Sequence, residues 1–145
     1  MAVLQVSVYV ENKLGRLREI TQVLADAGIS IMTHSLEDEK GYGVFRMIVP
    51  TPQKVEKMLK TRGFSVRLTK VVAVLVPDVP GGFHQLLEVL AEEKIDFSYT
   101  YAIGHTKTGK AVNILYPVEV EKAETLLIKN GFEVLSEEAL LQLFK

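Results

Sequence analysis

The chain has 145 residues, 48% of them apolar, with 17 basic side chains against 18 acidic ones. That near-neutral balance lacks the field that gathers phosphate backbones, so neither nucleic acid nor an anionic membrane is an expected partner. No cysteine is present, which excludes disulfides, thiolate catalysis and zinc ribbons.

The opening "MAVLQVSVYV" alternates apolar and polar residues instead of setting a basic segment before a solid apolar block, so no signal peptide is expected. No apolar run approaches the roughly 20 residues of a membrane helix, and a cytoplasmic location is expected. Leu4, Val6, Val8 and Val10 predict a strand with one buried face. A corner at Asn12 to Gly15 follows. Leu17, Ile20, Leu24 and Ala27 recur at helical spacing, and Gly28 stands at the C-cap. "ISIMTHSL" predicts a second strand, "EDEKGYG" a hairpin turn and "VFRMIV" a third strand, broken by Pro50 and Pro52. Val55, Met58 and Leu59 mark a second helix that closes at Gly63, and "FSVRLTKV" begins a fourth strand.

The series then repeats. "VVAVLV", a corner, "FHQLLEVLAEE", "IDFSYTYAI", "GHTKTG", "KAVNILYP", "EVEKAETLLIK" and "GFEVL" reproduce β-α-β-β-α-β. Gly15 falls on Gly81, Leu24 on Leu90 and Ile29 on Ile95 at an offset of 66, while Gly63-Phe64 falls on Gly131-Phe132 at 68. The two extra residues are expected in the second hairpin, where insertion is cheap. The fold class is therefore α+β: two ferredoxin-like units, residues 1–69 and 70–145, each an antiparallel four-stranded sheet backed by two helices. No flexible linker separates them, so the halves are expected to pack as one body. "SEEALLQLFK" reads as a short closing helix with Ser136 as its N-cap.

Each corner sets a strand end against a helix N-terminus, where unpaired N–H groups and the helix dipole favour an anion. At the second, "VPDVPGGF", Gly81 and Gly82 let a ligand approach the main chain, and Asp78 offers a carboxylate. N–H donors beside a carboxylate suit a zwitterion such as a free amino acid. The plainer reading is that Asn12 and Asp78 organise a turn and the glycines serve its geometry. On the residues alone both stay open.

"VENKLGRLREITQVLADAGISI" and "VPDVPGGFHQLLEVLAEEKIDF", with "GYGVFR" and "NGFEV", resemble ACT domains, small regulatory modules that bind amino acids. The resemblance covers nearly the whole chain in two copies. It implies a regulatory protein without catalysis, with a free amino acid as ligand and a biosynthetic enzyme as a partner, and no cofactor. Carried over by position, the ligand loop falls on Asn12, Leu14 and Gly15, and on Asp78, Pro80, Gly81 and Gly82. The first copy departs from the pattern, with Asn12 for the acid and Leu14 for the proline.

Other residues carry two readings. Tyr99 and Tyr101 share strand parity with Ile95 and Phe97, as core or rim packing or as a wall of the ligand pocket. Arg46, in an apolar strand, is an edge residue, half of an ion pair, or a carboxylate clamp. His34, His84 and His105 show no metal spacing and read as rim residues, although His34 could also touch a ligand. Among other functions, an acylphosphatase would need Arg46 and Asn113 around a Gly-rich phosphate loop that is absent, and base stacking on Tyr99 and Tyr101 lacks basic surroundings. A scaffold subunit acting by protein contact alone is the remaining alternative. Finally, Val71, Ala73 and Leu75 make an apolar second face on one strand, where the first copy has Gln5, Ser7 and Tyr9. Such a face predicts a homodimer unless the chain itself covers it.

Overall fold

The computed structural model describes residues 2–11, 13–103 and 108–144. The chain from Leu4 to Thr69 forms one compact unit, and the chain from Lys70 onward, with Val3, forms another.

The first unit contains β1 (Val3–Val10), α1 (Lys13–Asp26), β2 (Thr33–Glu39), β3 (Tyr42–Ile48), α2 (Pro52–Thr61) and the opening residues of β4 (Ser65–Pro77). Its strand order is β2-β3-β1-β4. Both β1 and β2 run antiparallel to β3, with Val8 and Leu36 opposite Phe45. The period-2 alternation sends Val6, Val8, Phe45 and Met47 to one face, where Ile20 and Leu24 of α1 and Val55 and Leu59 of α2 meet them. Each such side chain contributes about 1.5–3 kcal/mol by leaving water.

The second unit takes the rest of β4, then α3 (Gly82–Glu92), β5 (Phe97–Ile103), β6 (Lys110–Pro117), α4 (Val120–Lys129), β7 (Glu133–Leu135) and α5 (Glu137–Gln142). Its strand order is β5-β6-β4-β7, all antiparallel. Val72, Val74 and Val76 face Leu86 and Leu90 of α3 and Ala123 and Leu127 of α4. Two β-α-β-β-α-β units of ferredoxin-like order result. Ser136 caps α5, its Oγ accepting from the Ala139 N–H at 3.1 Å, and Leu140 is fully buried.

Helices α2 and α4 end alike. The N–H of Phe64 donates to the Leu59 carbonyl at 3.1 Å, and that of Phe132 to Leu127 at 3.0 Å. These are Schellman closures, and they set one phenylalanine just past each helix, against the adjoining strand.

The structure departs from the sequence reading in three places. Strand β2 begins at Thr33, four residues later than expected, because Ile29 and Ile31 reach the core from an irregular segment. The first hairpin turn is only Lys40 and Gly41, both at positive φ, with β2 paired up to Glu39. Phe97 stands opposite Pro117 but Thr100 opposite Leu115, a bulge that breaks parity on β5. Tyr101 is therefore opposite Ile114, while Leu115, its neighbour in β6, faces the helices. Tyr99 and Tyr101 lie on the helix-free face, not with Phe97. Val71 and Ala73 are fully buried and Leu75 is 6% exposed in a single chain. This burial answers to the alternative reading, in which the chain itself covers the face.

Candidate functional site

The two corners are built differently. In the second unit, Val79 precedes Pro80 and is pushed away from helical backbone, and Gly81 adopts φ +86° as the N-cap of α3. The helix cannot extend back through them and starts at Gly82. The first unit has neither constraint, and α1 begins at Lys13, a turn earlier by the repeat offset. Leu14 and Gly15 are thus helical residues, not loop residues, and the Leu14 side chain is 83% exposed. Asn12 lies outside the described residues, as does His105.

The second corner has a defined hydrogen-bond plan. The Asp78 N–H donates to the Gly109 carbonyl at 3.3 Å, the Gly82 N–H to Val79 at 3.0 Å, and the Gln85 N–H to Gly81 at 3.0 Å. The N–H groups of Phe83 and His84 in the first turn remain without an intrahelical partner. Asp78, Pro80 and Gly81 are exposed, so donors and a carboxylate are both open to solvent. Gly82 is buried for a different reason. A Cβ there would stand 2.1 Å from the Pro77 carbonyl oxygen, so the second glycine serves the close crossing of strand and helix. A Cβ at Gly81 would meet nothing within 4 Å.

The remaining expected site residues are dispersed. Tyr99 and Tyr101 stack at 6.4 Å and 18°, with Tyr116 at 5.3 Å from Tyr99. Tyr101 lies across the sheet from Ala73, five residues before Asp78 on β4, roughly 16 Å away at strand rise. The tyrosines therefore do not wall the corner. His34 sits exposed on β2 with its ring 5.7 Å from Phe45. Arg46 is an ion-pair partner, its Nη1 2.6 Å from Glu37 Oε2 on a neighbouring strand.

Grooves appear beside the Schellman phenylalanines, where the sequence reading did not look. In the first unit, Arg18, Gln22, Arg62 and Phe64 line one of about 420 Å³, and Tyr9, Glu11, Arg16 and Tyr42 another of about 390 Å³. In the second unit, one of about 300 Å³ runs from Pro77 and Lys110 past Phe132 to Gln85 and Val89. The recurring Gly-Phe pair was the available signal.

A family model described as an ACT domain pair matches residues 1–144. The chain belongs to that family. ACT domains are small-molecule-binding regulatory modules, and the doubled fold is theirs. A crystal structure of a protein from Bacteroides thetaiotaomicron is 31% identical, with 97% of this chain and 96% of that one covered and a TM-score of 0.91. The ligand-free regulatory subunit of aspartate kinase from Thermus thermophilus shares the fold at 14% identity, covering 100% of this chain and 95% of that one, TM-score 0.64. No curated protein matched the sequence. No helix of the ACT pair, among the described residues, is long and apolar enough to cross a membrane.

Proposed function

We propose that this ACT pair senses a free amino acid at the corner of its second unit and modulates a metabolic enzyme or pathway without catalysing a reaction itself. The observation that carries the reading is the start of α3. The first-turn N–H groups of Phe83 and His84 receive no side-chain cap, and Asp78, four residues before α3, is exposed with no ion-pair partner among the described residues. The N–H groups receive the ligand carboxylate, and Asp78 receives its ammonium. The first unit is the weaker binder, because its helix starts earlier and Leu14 stands where the second unit has proline. Aspartate kinase regulatory subunits share the fold, and a biosynthetic enzyme is accordingly the kind of target proposed.

Calorimetric titration of the full chain with free amino acids tests the reading. Asp78→Ala removes a charge-assisted hydrogen bond worth about 1.5–3 kcal/mol, so affinity for the bound amino acid drops by roughly tenfold to a hundredfold. Unchanged affinity in folded Asp78→Ala would overturn the assignment.

A further inference from the structure

Helix α1 turns one stripe of residues, Gly15, Arg18, Glu19, Gln22 and Val23, toward the end of α2 at spacings of three and four. With Arg62, the C-cap of α2, and Phe64 just beyond it, this stripe lines the groove of about 420 Å³. A third arginine stands beside it and is already committed. The Arg16 guanidinium carbon lies 3.9 Å from the Phe64 ring centroid, and its Nη1 is 2.8 Å from Glu19 Oε2. That ion pair balances the one carboxylate in the lining. Gln22 is also engaged, its Nε2 donating to Asp26 Oδ1 at 2.8 Å one turn further along the helix. Arg18 and Arg62 are both exposed, and neither side chain has a hydrogen bond or ion pair among the described residues. Two guanidiniums in one groove repel each other, a cost that an anion between them removes.

The duplication supplies the comparison. At offsets of 66 and 68 the groove recurs in the second unit, with Gln85 for Glu19, Val89 for Val23 and Phe132 for Phe64. The two open arginines do not recur. Arg18 becomes His84, whose Nε2 lies 3.4 Å from Glu88 Oε1, and Arg62 becomes Asn130, whose Nδ2 donates to the Leu126 carbonyl at 2.8 Å. Helices α2 and α4 nevertheless close with the same hydrogen bond, so the fold does not require the arginines.

We propose that the groove between α1 and the end of α2 binds a small phosphate monoester, its dianion held by Arg18 and Arg62. A guanidinium presents paired N–H donors that match two phosphate oxygens, and the second arginine answers the second charge. The groove has the volume of a small-molecule site, which leaves room for the organic part of the ester. It uses none of the residues at the corner of the second unit, so it stands or falls apart from the amino-acid reading.

The test is a titration of the isotope-labelled full chain with AMP, a phosphate monoester, and with adenosine as the neutral control. AMP is expected to give saturable shifts at Gly15, Gln22, Gly63 and Phe64, and none at the counterparts Gly81, Glu88, Gly131 and Phe132. Adenosine is expected to give neither set. Arg18→Gln and Arg62→Gln change exposed side chains, and each is expected to weaken AMP binding roughly three- to thirtyfold. The double variant is expected to lose the saturable shifts. Absence of saturable AMP shifts along residues 15–22 and 62–64, equal shifts with adenosine, equal shifts at the second-unit counterparts, or parent affinity in either arginine variant overturns the inference.

Discussion

Replacing Gly82 by alanine is the sharpest perturbation of the second corner. The added Cβ would lie 2.1 Å from the Pro77 carbonyl oxygen, 3.2 Å from its carbon and 3.4 Å from Val76 Cγ1. Two of these atoms are main chain, so no rotamer change relieves the contact. Either the end of β4 or the first turn of α3 must move, and both carry fully packed neighbours, Val76 at 2% exposure and Leu86 at 0%. Overpacking of this kind costs about 1–3 kcal/mol, and the upper end is expected because backbone must shift. Alanine's better helix propensity returns at most about 1 kcal/mol. At about 2–4 °C per kcal/mol for a chain of this size, a net loss of about 2–3 kcal/mol lowers the midpoint by roughly 4–12 °C. Thermal and urea unfolding followed by circular dichroism measure it. Gly81→Ala is the control: it has open space but holds φ +86°, a strain of about 1–2 kcal/mol. A Gly82→Ala midpoint equal to the parent's, or above that of Gly81→Ala by a clear margin, would refute the reasoning.

Three further outcomes are expected. Glu124 on α4 is 7% exposed, its Oε2 has no hydrogen-bond partner among the described residues, and burial raises its carboxyl above the ordinary range. The fold therefore favours the protonated form, and stability declines as pH rises from the ordinary carboxylate range through the raised value; Glu124→Gln abolishes that decline and is more stable at neutral pH, as urea midpoints across pH will show. Lys94 holds φ +55° where the first unit has Gly28, so Lys94→Gly raises stability by about 1 kcal/mol in the same assay. Ser136→Ala removes the cap of α5 and lowers stability by about 1 kcal/mol, with faster hydrogen exchange at Ala139 and Leu140.

The doubled fold was legible because its punctuation repeats. Gly63-Phe64 and Gly131-Phe132 close equivalent helices, and the apolar spacings of Ile20 and Leu24 recur in Leu86 and Leu90. Positions set by a partner strand were not legible. The bulge that turns Tyr99 and Tyr101 away from the helices exists only in the pairing of β5 with β6, and period-2 counting along one strand cannot reveal it. Ile29 and Ile31 show the same limit, since apolar alternation predicts burial without telling strand from irregular chain. At the site, Pro80 and Gly81 announced a corner, but the two glycines looked equivalent. Their separate tasks, positive φ at Gly81 and close approach at Gly82, depend on where the Pro77 carbonyl points. The stacking of Arg16 on Phe64 joins residues 48 positions apart, and nothing local in the sequence signals it.

The most direct test of the central claim is a thermal-shift screen of the full chain against the free amino acids, run alongside Asp78→Ala. A ligand present at about 100 times its Kd adds about 2.7 kcal/mol of stability. At about 2–4 °C per kcal/mol this raises the midpoint by roughly 5–11 °C. The account predicts such a rise with at least one amino acid, and a smaller one in Asp78→Ala at the same concentration. A midpoint that no free amino acid moves would contradict it.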